Sequence, residues 1–114
     1  MVDDNQDITD LVSKFLTAKG LDNVVTNDPR DGLERIKNED FDVILLDIAM
    51  PEFSGHDIIE ELEKEKILKD KKIIIFSAHA FSESVINELL EKEGVHSFLS
   101  KPLKLDTILI AISS

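Results

Sequence analysis

Five side chains able to bind a cation or take part in nucleophilic chemistry stand where apolar runs end along this 114-residue chain. Asp3 and Asp4 follow Met1-Val2, and Asp47 follows Val43-Ile44-Leu45-Leu46. Ser77 follows Ile73-Ile74-Ile75-Phe76, and Lys101 follows Phe98-Leu99-Ser100. Three carboxylates brought together repel one another unless they share a cation, and oxygen-only ligands suit a hard ion such as Mg²⁺. A carboxylate is also a nucleophile, while a hydroxyl and an ammonium can hold an anionic group. Taken singly, each residue has a plain explanation. An Asp or Ser after a strand is commonly a turn former or helix cap, and a lone Lys is commonly surface. The coincidence of all five at strand ends is what calls for chemistry.

The elements that must position them alternate between two periodicities. Ile8, Leu11, Val12, Phe15 and Leu16 recur at helical spacing and Gly20 follows as a stop. Val24-Val25 is a short β-type run, and Asp28-Pro29 opens a helix carrying Leu33 and Ile36. Val43–Leu46 and Ile73–Phe76 are unbroken apolar runs, the mark of strands buried on both faces. Ile58, Ile59 and Leu62 mark a helix over residues 56–66, and Phe81, Val85, Ile86, Leu89 and Leu90 mark another, closed by Gly94. Val95–Leu99 reads as the last strand, and Leu105, Ile108, Leu109 and Ile112 as the last helix. Alternating strands and helices predict a parallel sheet covered on both faces. Ligands of such sheets sit at the carboxyl ends of the strands.

Composition narrows the class. The length is room for one domain and one core, and the chain is expected to be a single domain over residues 1–114. The longest apolar run, Ile108–Ile112, is far short of the ~20 residues of a membrane span, and no signal peptide opens the chain. No membrane association and a cytoplasmic location are therefore expected. There is no cysteine, so no disulfide framework exists. Thirteen Lys plus Arg against 24 Asp plus Glu give a net charge of −11, which opposes direct nucleic-acid binding.

Four segments together resemble the signature blocks of response-regulator receiver domains. They are Val2-Asp3-Asp4-Asn5, the stretch from Leu45 to Gly55 that includes Asp47-Ile48-Ala49-Met50-Pro51, Ile75-Phe76-Ser77-Ala78, and Phe98-Leu99-Ser100-Lys101-Pro102. The resemblance spans practically the whole chain. It implies an α/β fold, a doubly wound five-stranded parallel sheet in the flavodoxin-like order 2-1-3-4-5, with helices on both faces. It further implies a phosphoacceptor switch of a two-component system. Asp47 takes a phosphoryl group from a sensor histidine kinase or phosphotransfer protein. Mg²⁺ is held by Asp4, Asp47 and the backbone carbonyl of Ala49, with Asp3 acting through a bound water. Lys101 and Ser77 hold phosphoryl oxygens, and Ala78 leaves room for the donor. Ser77 and Phe98 form the switch, Ala49 and His79 tune its reset by water, and the face of the fourth helix, last strand and last helix meets a downstream protein or a second copy. Such a domain catalyses only its own phosphorylation and dephosphorylation. The Lys101-Pro102 peptide bond is expected to be cis.

Three rival readings fit the residues less well. A haloacid-dehalogenase-like phosphatase needs a second Asp where Ala49 stands. A flavodoxin-like mononucleotide binder needs a Ser/Thr/Gly-rich phosphate loop where Asp3-Asp4-Asn5-Gln6-Asp7 stands. A pseudo-receiver serving only as an interaction module would lack some of the five polar groups, and none is missing. One feature departs from the family pattern. Only Met1 and Val2 precede the acidic pair, so the first strand is expected to be truncated, a remnant that leaves its neighbours short of main-chain partners. The sequence leaves open whether the chain is stand-alone or part of a longer protein.

Overall fold

A computed structural model of the protein describes residues 1–50, 52–77, 83–100 and 104–114. Helices α1 (Gln6–Ala18), α2 (Pro29–Asn38), α3 (Gly55–Lys64), α4 (Glu83–Leu90) and α5 (Leu105–Ser113) alternate with strands β1 (Ile44–Asp47), β2 (Ile73–Ser77) and β3 (Val95–Ser100). The three strands are parallel, in the order β1-β2-β3. Register places Leu46 beside Ile75, Asp47 beside Phe76, and Ser77 beside Ser100.

Helix starts follow from local chemistry. Asn5 caps α1 by accepting from the Ile8 N–H, and Asp28 caps α2 by accepting from the Arg30 N–H, with Pro29 in the first turn. Ser54 and Asp57 form a reciprocal capping box on α3. Gly20, at φ +77°, ends α1 in the left-handed region as the sequence predicts.

The apolar runs are buried on both sides because the sheet has two covered faces. Ile44, Leu46, Ile73 and Ile75 pack with Leu33 and Ile36 of α2, Ile58, Ile59 and Leu62 of α3, and Leu89 of α4. Leu45, Ile74 and Phe76 point the other way, onto Val12 and Leu16 of α1 and Ile108 and Ala111 of α5. Side chains alternate across a strand, so every strand residue needs a helix behind it. Each such aliphatic side chain contributes about 1.5–3 kcal/mol on burial.

The expected five-stranded sheet needs correction. Among the described residues three strands form, and the positions of the other two are held by single bridges, Val2 to Leu46 and Val2 to Thr26, both parallel. The spatial order is still the expected one, with Thr26 outermost, then Val2, then β1-β2-β3. The Val24-Val25 run is not a strand. Its neighbour in the sheet line, the segment around Val2, meets it through the single Val2–Thr26 bridge. The expected truncation of the first strand is present as a two-sided stub. The Val2 N–H donates to the Leu45 carbonyl (2.8 Å), and the Asp47 N–H donates to the Val2 carbonyl (3.0 Å). No helix among the described residues is long and apolar enough to cross a membrane.

Candidate functional site

The site lies where Val2-Asp3 and β1 end together. Val2 is the main-chain partner of both Leu45 and Asp47, so the acidic pair and Asp47 emerge side by side at the carboxyl edge of the sheet. Carboxylate oxygens of Asp3, Asp4 and Asp47 all lie within 4.8 Å of one another. Two of these acids are withdrawn from water, Asp3 at 0% exposure and Asp47 at 2%, whereas Asp4 is exposed. Two buried carboxylates so close to a third carry a steep electrostatic cost unless positive charge sits among them. The donor set is all oxygen and one member is open to solvent, which fits a hard divalent cation that keeps part of its water shell.

Backbone amides set the directions of the acids. The Ala49 N–H donates to Asp47 Oδ1 (2.9 Å), and the Asn5 N–H donates to Asp3 Oδ1 (3.0 Å). Ser77 closes β2 one strand over and is buried, at 2% exposure. Phe98 lies beside Ile75 on β3 and packs, half-buried, against the core. Ala49 is half-buried and Met50 buried immediately after the acceptor strand. Lys101, Pro102, Ala78, His79 and Pro51 fall outside the described residues, and so does the expected cis bond.

Asn27 and Arg30 had no clear signal in the sequence, and Gly55 appeared there only as the end of the Leu45–Gly55 block. Asn27 donates through Nδ2 to the Asp3 carbonyl (2.8 Å) and to Thr9 Oγ1 (2.9 Å), tying the acidic loop to α1 and the loop before α2. Gly55 sits against the acceptor strand, where an added Cβ would stand 2.2 Å from the Asp47 carbonyl oxygen. The first turn of α3 therefore rests directly on the backbone of Asp47. Arg30 stacks over the Phe53 ring (4.5 Å to the centroid), fastening the loop after β1 to the start of α2. A second group, His56, Asp57 and Glu60, also brings donor atoms within 4.8 Å. Its side chains are half-buried or exposed, and Asp57 is already engaged by the α3 cap.

Similarity to known proteins agrees with this geometry. The family model described as "Response regulator receiver domain" matches residues 1–113. The luminescence regulatory protein LuxO of Vibrio campbellii is 27% identical over 114 residues, covering 100% of this chain and 24% of that protein. The response regulator SaeR of Staphylococcus aureus is 28% identical, covering 100% of this chain and 48% of that protein. The chain thus spans about a quarter to a half of the length of these curated relatives. Among solved structures, the Francisella response regulator 1452 receiver domain superposes with TM-score 0.85 at 28% identity, covering 98% of this chain and 89% of that one. The Thermotoga maritima response regulator TrrA, solved in complex with Mg²⁺ and BeF, gives 0.81 at 25% identity, covering 98% and 92%. From its first strand stub to its last helix, the chain belongs to the response regulator receiver domain family.

Proposed function

We infer that the chain, as one receiver domain over residues 1–114, is a phosphorylation switch whose acceptor is Asp47. One observation carries the reading. Three carboxylates converge within 4.8 Å at the strand ends, with Asp47 closing β1 beside the strand that ends in Ser77.

A carboxylate oxygen of Asp47 attacks the phosphorus of a phosphohistidine on a sensor histidine kinase or phosphotransfer protein. The phosphorus–nitrogen bond breaks, the imidazole leaves with the electron pair, and Asp47 carries an acyl phosphate. Such a transfer depends mainly on alignment and charge neutralisation. Asp4, Asp47 and the Ala49 carbonyl would hold Mg²⁺, with Asp3 acting through a water. When bound, the ion supplies the positive charge that makes the acids compatible with an incoming phosphoryl group. Lys101 adds a point charge on a phosphoryl oxygen, and the Ser77 hydroxyl donates to another. Water attack on the acyl phosphate resets the switch, at a rate tuned by the side chains of Ala49 and His79.

Readout runs through Ser77 and Phe98. Drawn toward the phosphoryl group, the Ser77 hydroxyl vacates space behind it, and Phe98 rotates inward to fill that space. Phe98 has no hydroxyl to anchor either position, so packing alone sets the balance. The shift stays well short of the ~5.5 kcal/mol that separates 1:99 from 99:1. It alters the face of α4, β3 and α5, where Ile110 stands 69% exposed, and that face meets a downstream protein or a second copy. On this reading the chain works with a kinase and an effector as a cytoplasmic signalling domain and not as an enzyme toward other substrates. The acceptor is tested by borohydride reduction after exposure to a phosphodonor, which converts an aspartyl phosphate to homoserine. Homoserine is expected at position 47; its appearance only at another acid would overturn the assignment.

A further inference from the structure

Both main-chain polar groups of Asp3 are held from the loop before α2. The Asp3 N–H donates to the Thr26 carbonyl (3.2 Å), and the Asp3 carbonyl accepts from Asn27 Nδ2 (2.8 Å), a side chain 24 positions away. A peptide unit is planar, so holding the Asp3 carbonyl oxygen fixes the plane that also carries the Asp4 N–H and Cα. The tilt of that plane sets where the Asp4 side chain starts. Asp4 is the exposed member of the acidic cluster, and its carboxylate still comes within 4.8 Å of those of Asp3 and Asp47.

Asn27 can act this way because its own amide is fixed. The second Nδ2 hydrogen goes to Thr9 Oγ1 (2.9 Å), and Thr9 is fully buried in α1, where its hydroxyl donates to the Gln6 carbonyl (3.1 Å). A carbonyl can only accept, and the Thr9 proton is already donated to Gln6, so both contacts demand the NH₂ edge of the amide. The loop that carries Asn27 is braced in turn. The Asp28 N–H donates to Thr26 Oγ1 (3.2 Å), and Asp28 caps α2. An exposed Asn just before a helix cap is ordinarily a turn former. Here both amide hydrogens run inward, to residues 24 and 18 positions away, which a turn does not require.

We propose that Asn27 is a positioning residue of the acidic site, holding the Asp3–Asp4 peptide so that Asp4 stays in reach of a divalent cation shared with Asp47. The proposal rests on the reading of the three acids as a Mg²⁺ site. Asn27 bonds to the Asp3 carbonyl and the Thr9 hydroxyl, so it acts through the loop and not as a ligand. An aspartate at this position has nearly the same shape and the opposite chemistry. Both donors are lost, and a carboxylate oxygen faces a carbonyl oxygen. Charge counting alone predicts that a fourth acid strengthens the pull on a cation. Positioning predicts that it weakens binding, so the two accounts differ in sign.

The test is calorimetric titration of the chain with Mg²⁺ alone, at a temperature where every variant is folded by circular dichroism. Asn27→Ala and Asn27→Asp should each weaken binding by about tenfold, the usual loss when a group supporting a metal ligand is removed. Asn23→Ala is the control for stability. Asn23 donates to Thr17 Oγ1 and to the Leu21 carbonyl at the far end of α1, so its loss should lower the melting temperature and leave Mg²⁺ affinity unchanged. Undiminished affinity in Asn27→Ala, or tighter binding in Asn27→Asp, would overturn the proposal while the metal site itself stands. An equal loss of affinity in Asn23→Ala would overturn it by showing that general loosening is enough. An unaltered chain that binds no Mg²⁺ would overturn the site and the proposal together.

Discussion

At the acceptor, two carboxylates are buried and the third is left in water, and this asymmetry sets what each residue contributes. Asp47 and Asp3 are oriented by main-chain amides, while Asp4 faces solvent with an oxygen near both. If Asp4 is a direct ligand and Asp3 acts through a water, Asp4→Ala should weaken Mg²⁺ binding more than Asp3→Ala. Titration of the two variants checks this, and equal or reversed losses contradict the roles. A different residue-scale strain sits at the end of α3, where Lys66 has φ +63° and its N–H donates to the Glu63 carbonyl. A side chain in the left-handed region is costly and glycine is at ease there, so Lys66→Gly should raise stability by about 0.5–1 kcal/mol in denaturant unfolding. The acids and Ser77 were legible in the sequence because a polar residue ending a fully apolar run has to emerge at a sheet edge. Asn27 was not, since its value lies in reaching Asp3 and Thr9, residues 24 and 18 positions away. No local pattern encodes such a contact.

The elements act as the frame for those residues, and α3 is tied to the acceptor most directly. Its Gly55 leaves no room for a methyl group beside the Asp47 carbonyl. Gly55→Ala should therefore destabilise the fold by about 1–3 kcal/mol, the usual cost of overpacking. Because the displaced backbone belongs to Asp47, the variant should also be phosphorylated more slowly under conditions where it remains folded. Helix boundaries were readable from Asp28-Pro29 and Gly20, whose capping chemistry is local. The Val24-Val25 run misled because strand formation needs a partner, and the stub offers few residues. The same stub makes a pH prediction. Burial of the Met1 ammonium lowers its pKa from 8.0 to about 6. Between these values the unfolded chain binds a proton that the folded chain does not, so stability should rise with pH from about 6 to 8 and level off beyond. N-terminal acetylation removes the group, and the difference between acetylated and free chains should show this rise. A flat difference would mean the amine is well solvated.

Across the whole molecule, one sheet with helices on both faces places its acidic cluster at the carboxyl edge of the strands. The layer class followed from alternating periodicities, which report burial on two faces, and the strand order from the family resemblance. The strand count did not, because a ladder is a property of pairs and not of a single run. Appending three or four apolar residues ahead of Met1 should extend that ladder and raise the melting temperature by several degrees, given about 4–8 °C per kcal/mol for a domain of roughly this size. Scanning calorimetry decides it, and no gain would mean that the stub already suffices. The central claim, that this fold exists to load one phosphoryl group onto Asp47, is tested most directly by intact-mass analysis after incubation with acetyl phosphate and Mg²⁺. The expected result is a single added phosphoryl group, absent when Mg²⁺ is chelated and absent in Asp47→Asn. A full-stoichiometry phosphate persisting on Asp47→Asn would contradict it.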